Sequence, residues 1–473
     1  MPKAAKVFLI LKHGTALRNF LKTDFLPTLL SRPELEVHVF TPLWNDPSLV
    51  EEVANSRVRL RPMPEYREGS WEKKVIRLHR NSWASRSRLR SYWSERFHKR
   101  PNAWLLHASE FLLGLAVAPI PEKLWRRWIN NASHDEASRA LLLKERPDLI
   151  FYVNHNQREN SLVKEAQKLG IRTLYFCENW DHLYQWPSNL VHDELLVWGP
   201  IVRDLVVKHH QVRWSKITCV GVPQFDVYVN GRLPDRDTFF REHKLDPSVP
   251  LVFFATTADE DFPYNHEMID IVLRMNEAGQ FHRRCQFILR PHPRCDFAKY
   301  EKYGQRPGVY VQRAGRPAGV ADGWNPSVGD MVELASTIRH SDVVICPSST
   351  IIVDAIACDK PVVAIAFDGN HEDLDFYLSH RRIFKFELMQ DILRFESFQV
   401  AEKQAEFRHF FNQALDEPKV GSVGRQAVRS ELCYQVDGQS ARRIAEEVLR
   451  RLPTAGETQF RQVRMPTAEK IGV

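Results

Sequence analysis

Two short loops hold the residues best suited to gripping a phosphorylated ligand. In Arg290-Pro291-His292-Pro293-Arg294, two prolines fix the backbone around one imidazole, and a guanidinium stands on either side. In the second loop Pro347 is followed by three hydroxyl residues, Ser348, Ser349 and Thr350, directly before an apolar helical run at 351–358. A helix start presents unpaired backbone N–H groups and the positive end of its dipole, so a phosphate suits it. A strand-end histidine can merely cap a neighbour, and Ser and Thr are the usual N-caps. One cap, however, needs one hydroxyl, and this turn supplies three. Arg290, His292, Arg294, Ser348, Ser349 and Thr350 are therefore expected to bind the phosphates or ribose of a donor. Arg294 reads equally as a solvated surface charge. Asp354, four residues after Thr350, reads equally as a ribose contact or as a partner for Lys360.

If such a ligand donates a group to an acceptor hydroxyl, the reaction also needs a base opposite the leaving group. Titratable side chains at strand ends in the first half are the candidates: His13, His155, Glu178 and Asp181. Glu178 and Asp181 share one loop, so one can orient while the other abstracts the proton. The arginines and the helix dipole can offset charge developing on a phosphate, so neither a metal nor a cofactor is expected.

The elements that position these groups follow from periodicity. Residues 343–346 and 362–365 are short apolar runs of buried-strand type, and the helical segment between them makes a βαβ unit. Its turn lies at the carboxyl end of a parallel strand, where open α/β sheets bind ligands. The loop around His292 ends another strand at 285–289, and Thr256-Thr257 ends a third at 250–255, a turn that the family resemblance described below would place against the donor phosphates. In the first half, residues 7–11 and 36–40 flank a helix and already form one βαβ unit, and the alternation resumes with strands at 148–153 and 173–176. The predicted class is α/β with parallel sheets.

The order of several motifs resembles the CDP-glycerol glycerophosphotransferase-like superfamily, with sialyl-, polysialyl- and Kdo transferases as more distant relations. These motifs are Gly221-Val222-Pro223-Gln224-Phe225-Asp226, the His-Pro loop, the Ser/Thr turn, Asp373-Leu374-Asp375-Phe376-Tyr377 and Asp437-Gly438-Gln439-Ser440-Ala441-Arg442-Arg443. The resemblance implies the GT-B fold: two Rossmann-like lobes with parallel sheets facing a central cleft. On that pattern residues 1–228 form an acceptor-side lobe with an inserted helical segment at 67–135. A hinge follows at 229–248, then a nucleotide-donor lobe at 249–437, a helix crossing back at 438–452 and a mobile tail at 453–473. The implied activity is metal-independent transfer of a sugar or polyol phosphate from a nucleotide-activated donor, of cytidine type, to a surface-glycan or lipid-linked acceptor. Two alternatives stay open: a nucleotide-sugar epimerase of the UDP-GlcNAc 2-epimerase type, and a scaffold that has lost turnover.

Composition narrows the setting. At 473 residues the chain exceeds what one core usually supports. With 66 basic and 59 acidic residues, its net charge of +7 is too small to mark a nucleic-acid binder. Seven scattered cysteines without a Cys-x-x-Cys pair read as reduced core residues, and the N-terminus runs into a strand too early for a signal peptide, so a cytoplasmic location is expected. The longest apolar stretch, 104–120, falls short of the ~20 residues a membrane span needs. Residues 67–100 carry eleven Lys/Arg against three Glu, with interleaved aromatics. Residues 67–127 thus read either as a solvated insertion or as a platform for an acceptor or an anionic membrane surface, with Arg86, Arg88 and Arg90 among its contacts.

Overall fold

The computed structural model describes residues 5–153, 161–187, 194–231, 233–317, 324–371 and 373–453. Seven parallel strands form the first sheet: β1 (Ala5–Ile10), β2 (Leu35–Phe40), β3 (Val58–Arg61), β4 (Leu149–Tyr152), β5 (Arg172–Phe176), β6 (Glu194–Val197) and β7 (Ile217–Cys219). The second sheet begins with β8 (Leu251–Ala255), β9 (Gln286–Arg290) and β10 (Val309–Val311). A separate two-stranded antiparallel ladder, β11 (Arg316–Pro317) with β12 (Trp324–Asn325), precedes its remaining strands, β13 (Val343–Cys346), β14 (Val362–Ile365) and β15 (Gln399–Ala401). The orders are β3-β2-β1-β4-β5-β6-β7 and β10-β9-β8-β13-β14-β15.

Helices cover both faces of each sheet, so the central strands meet no water and can be apolar at every position. Leu-Val-Phe-Phe-Ala in β8, Val-Val-Ile-Cys in β13 and Val-Val-Ala-Ile in β14 are buried throughout. Strand order reverses between β1 and β4 in one sheet and between β8 and β13 in the other. Those are the places where the crossover helices part and leave a crevice at the strands' carboxyl ends. The fold is the two-lobed GT-B arrangement.

The Ser440–Arg451 helix leaves the second lobe and packs on the first. Asp226 accepts the N–H groups of Ser440 (2.9 Å) and Ala441 (2.7 Å), placing a carboxylate at the positive end of that helix. Gly221, at φ +84°, makes the approach possible, because a Cβ there would lie 2.6 Å from the Ser440 hydroxyl. At the far end Arg451 reaches Glu194, and Arg172 donates to the Arg451 carbonyl at 3.0 Å.

Between β3 and β4 lie the helices Ser70–Ser87, Arg90–Lys99, Trp104–Val117 and Glu122–Ala132. They build small cores of their own, Trp83 with Leu89 and Tyr92, and Trp125 with Val75 and Ile129. Several of their basic side chains turn inward. Buried Glu122 accepts from His79 and Arg86 at 2.8 Å each, and Arg77 and Arg96 meet buried Glu110. Arg86 is thus held by an internal carboxylate rather than offered to a surface, which corrects the expectation placed on it. Among the described residues no single helix is long and apolar enough to cross a membrane.

Candidate functional site

A cavity of about 610 Å³ opens between the lobes. Its second-lobe wall includes Thr257, Glu260 and Asp261 after β8, His292 and Arg294 after β9, Ser348, Ser349 and Thr350 after β13, and His380 and Arg382 beyond β14. Its first-lobe wall includes Asn179, Trp180 and Asp181, which follow β5, and the Arg90–Lys99 helix adds Glu95, His98 and Lys99. Seven of the residues singled out in the sequence, Asp181, Thr257, His292, Arg294 and the three hydroxyl residues, therefore meet around one space.

The Ser/Thr turn is not used up by capping. Thr350 makes no side-chain cap to the helix Ile351–Ala357, and Ser349 only accepts from the Ile351 N–H at 3.3 Å. The N–H of Ser348 is taken by His380, whose Nε2 accepts it at 2.8 Å. The His380 proton therefore sits on Nδ1, a buried donor that has no partner among the described residues. Burial, then Arg382 beside it, pushes the His380 pKa down to about 3, so the ring is neutral. Asp368 fixes its backbone, accepting from the His380 N–H at 2.7 Å and from the Ser379 hydroxyl.

His292 follows the same logic. Its backbone N–H donates to Thr256 Oγ1 at 3.0 Å, and its Nδ1 accepts the Arg294 N–H at 3.2 Å. The proton thus lies on Nε2, and burial, then Arg294, lowers the pKa to about 4. Two neutral imidazole donors and the Arg382 guanidinium, itself buried, then share one wall. Arg382 donates to the Ser379 carbonyl at 3.3 Å and lies 3.4 Å from Glu95, while its Nε has no partner among the described residues. Arg294 is engaged differently, since both its terminal nitrogens are paired with carboxylates, Glu260 and Asp261.

On the opposite wall Asp181 is raised to about 6 by burial. Its Oδ1 has no hydrogen-bond partner among the described residues, and its Oδ2 accepts from Gln185 at 3.3 Å. Such a carboxylate is ionised at neutral pH yet basic enough to take a hydroxyl proton.

Other expected residues stand elsewhere. Arg290 is buried, donates to Gln312 Oε1 at 2.6 Å and does not line the cavity. Thr256 holds the His292 backbone instead of facing the space. Asp354 is enclosed, accepting from Tyr228 and Gln224, so it bridges the lobes and neither faces the cavity nor pairs with Lys360; burial raises its pKa. Glu178 accepts from Thr15 at 2.7 Å, and its carbonyl takes the Trp198 indole at 3.2 Å. Neither Glu178 nor His13 lines the cavity; His13 lies near His182, whose pKa burial and then His13 lower to about 4. His155 lies outside the described residues. The sequence reading missed His380, Arg382, Glu95 and His98. A signal for His380 existed, because it closes the stretch opened by Asp373-Leu374-Asp375-Phe376-Tyr377. Glu95 and His98 had none, as they come from an insertion without the βα rhythm. Among the described residues no three His, Cys, Asp or Glu side chains gather as a metal site.

Solved structures of similar shape agree with this architecture. UDP-GlcNAc 2-epimerase from Neisseria meningitidis, solved bound to UDP-GlcNAc, matches with a TM-score of 0.52 at 10% identity, over 94% of this chain and 100% of that one. MnaA of S. aureus, solved with UDP, matches with a TM-score of 0.52 at 9% identity, over 94% and 96%. At such identity the likeness speaks for the fold alone. No curated protein matches the sequence. The two lobes and the cleft between them define the GT-B fold, which epimerases and transferases share. Residues 172–450 match the CDP-Glycerol:Poly(glycerophosphate) glycerophosphotransferase family, and the chain belongs to it.

Proposed function

We propose that the protein moves a sugar or a polyol phosphate from a cytidine-type nucleotide donor to a surface-glycan or lipid-linked acceptor. The observation that carries this reading is the pairing of walls: neutral His292 and His380, Arg382 and the Ser348–Thr350 turn converge on one side, and Asp181 stands on the other. The donor's phosphates would accept from His292 Nε2 and the turn, which His380 holds in place, with Arg382 supplying positive charge. The Asp181 carboxylate takes the acceptor hydroxyl's proton as the hydroxyl oxygen attacks the transferred carbon or phosphorus. The bond to the leaving nucleotide breaks, and its electron pair stays on the departing phosphate oxygen. The fixed donors and Arg382 compensate the charge that a divalent ion would otherwise offset. The inserted segment at 67–127 would bring the enzyme to an anionic membrane surface that bears the acceptor.

Incubation with CMP-, CDP- and UDP-linked donors, with and without a lipid-glycan acceptor, tests the reading by the nucleotide released. Acceptor-dependent CMP from a CDP-polyol, or CMP or CDP from a cytidine-linked sugar, is the expected result. Isomerisation of a UDP-sugar without nucleotide release would replace it with the epimerase reading. Nucleotide at 100 times its dissociation constant should stabilise the fold by ~2.7 kcal/mol, which a thermal shift reads directly.

A further inference from the structure

The Trp104–Val117 helix is turned inside out. Its polar groups face the protein: Glu110 is buried against Arg77 (3.2 Å) and Arg96, and His107 is buried with Nε2 3.1 Å from the Arg100 carbonyl. Gly114 fits so closely against the Ser70–Ser87 helix that a Cβ would lie 2.3 Å from the Asn81 carbonyl oxygen and 2.1 Å from the Ser85 hydroxyl. The opposite face is apolar and open. Trp104 is 63%, Leu105 65% and Leu112 64% exposed, and Leu113 joins them. From 104 to 121 the only acidic or basic residue besides His107 is the inward-facing Glu110. A surface helix that meets water shows the reverse pattern, with its charges outside.

The next helix, Glu122–Ala132, turns by 108° and carries two more exposed apolar side chains, Leu124 and Trp128. Exposed cations frame the two helices, Arg100 before the first and Lys123 and Arg127 on the second. An uncharged apolar plate with a tryptophan on each helix and a cationic border is complementary to an anionic lipid surface, whose headgroups meet the cations and whose acyl edge meets the plate.

We propose that this plate beds into one leaflet of an anionic lipid bilayer and anchors the protein there without crossing it. The inference deepens the acceptor reading above and rests on that reading for its purpose, but it locates the anchor in apolar side chains rather than in the basic run. The same segment sends Glu95, His98 and Lys99 into the cleft. Anchoring therefore holds the cleft beside the surface from which the polar end of a lipid-linked acceptor emerges.

Flotation of the full chain with phosphatidylglycerol–phosphatidylcholine vesicles, beside phosphatidylcholine vesicles alone, tests this. Binding to the anionic vesicles should weaken with salt yet persist in part, because burial of apolar surface is not screened. Tryptophan emission should shift to the blue on binding. Leu112→Gln with Leu113→Gln, and separately Trp104→Gln, should lower partitioning by about tenfold or more. These side chains are exposed, so thermal unfolding and nucleotide release in a lipid-free assay should stay as in the parent; loss of release in the parent itself would count against the transferase reading and not against the anchor. Unchanged partitioning in both variants, or no binding to either vesicle, overturns the proposal. So does concentration-dependent self-association without lipid that the same substitutions abolish, which would make the plate an interface between two copies of the chain.

Discussion

The second-lobe wall of the cleft is assembled from strand ends that lie next to one another in a single sheet, whereas the first-lobe wall draws on one strand end and on a helix inserted far away in sequence. The chemistry divides the same way. One wall gathers neutral imidazoles and a buried guanidinium, its carboxylates Glu260 and Asp261 being paired with Arg294, and the other offers the carboxylates Asp181 and Glu95. A donor nucleotide leaves as an anion and an acceptor arrives with a proton to lose, so the two walls match the two needs of group transfer.

If the division is functional, the largest effect lies on the carboxylate wall. Asp181→Asn should lower turnover by roughly two to four orders of magnitude while leaving nucleotide affinity nearly unchanged. A base works ionised, so with a pKa of about 6 the parent's rate should rise as pH climbs through 6 and level off near neutrality. Near-normal turnover in the variant, or an unchanged inflection near pH 6, would take the role of base away from Asp181.

The donor wall should show itself next through stability. His380 has a folded pKa of about 3 against an ordinary 6.5, so the unfolded chain binds its proton more readily than the folded one. Its contribution is complete above pH 6.5 and declines as the pH falls towards 3. Between pH 6.5 and pH 5 the loss should be about 2 kcal/mol from this ring alone. His380→Gln keeps an acceptor for the Ser348 N–H but does not titrate, so urea midpoints of the variant should depend less on pH. Parallel curves for parent and variant would show that the ring already titrates freely.

Nucleotide affinity follows. His292→Ala, or Ser348→Ala together with Ser349→Ala, should weaken binding of the cytidine nucleotide about ten- to hundredfold, the range for a lost hydrogen bond to a charged group. Calorimetry decides it, and equal affinities in both variants would detach the turn from the ligand.

The same contrast explains what could be read without coordinates. The turn Pro347-Ser348-Ser349-Thr350 and the His-Pro loop were legible because each sits within a few residues of an all-apolar strand, so local pattern fixed both the strand and the place where it ends. Asp181 was legible for the same reason after β5. Asp354 was misread because helical spacing gives its face but not what that face meets, and the partners Tyr228 and Gln224 come from the other lobe. Arg86 was misread because a charge run shows no direction, and Glu122, its partner, lies 36 residues away. His380 depends on Asp368, which folds a loop without regular structure back to the Ser348 turn.

The smallest effect expected on the donor wall concerns Arg294. In the sequence its guanidinium looks equivalent to any other cation beside His292, and it does line the cavity. Its terminal nitrogens, however, are paired with Glu260 and Asp261, and the side chain is 44% exposed, so water and two carboxylates screen most of its charge from a ligand. Its backbone N–H, not its side chain, fixes the His292 tautomer. Arg294→Met should therefore change nucleotide affinity by no more than about threefold, within the range of an exposed ion pair. Arg382→Met, which removes a buried guanidinium on the same wall, should cost at least tenfold. Comparing the two variants in one titration series separates the exposed, doubly paired guanidinium from the buried one. A loss for Arg294→Met as large as that for Arg382→Met would mean that the ligand draws Arg294 away from its carboxylates.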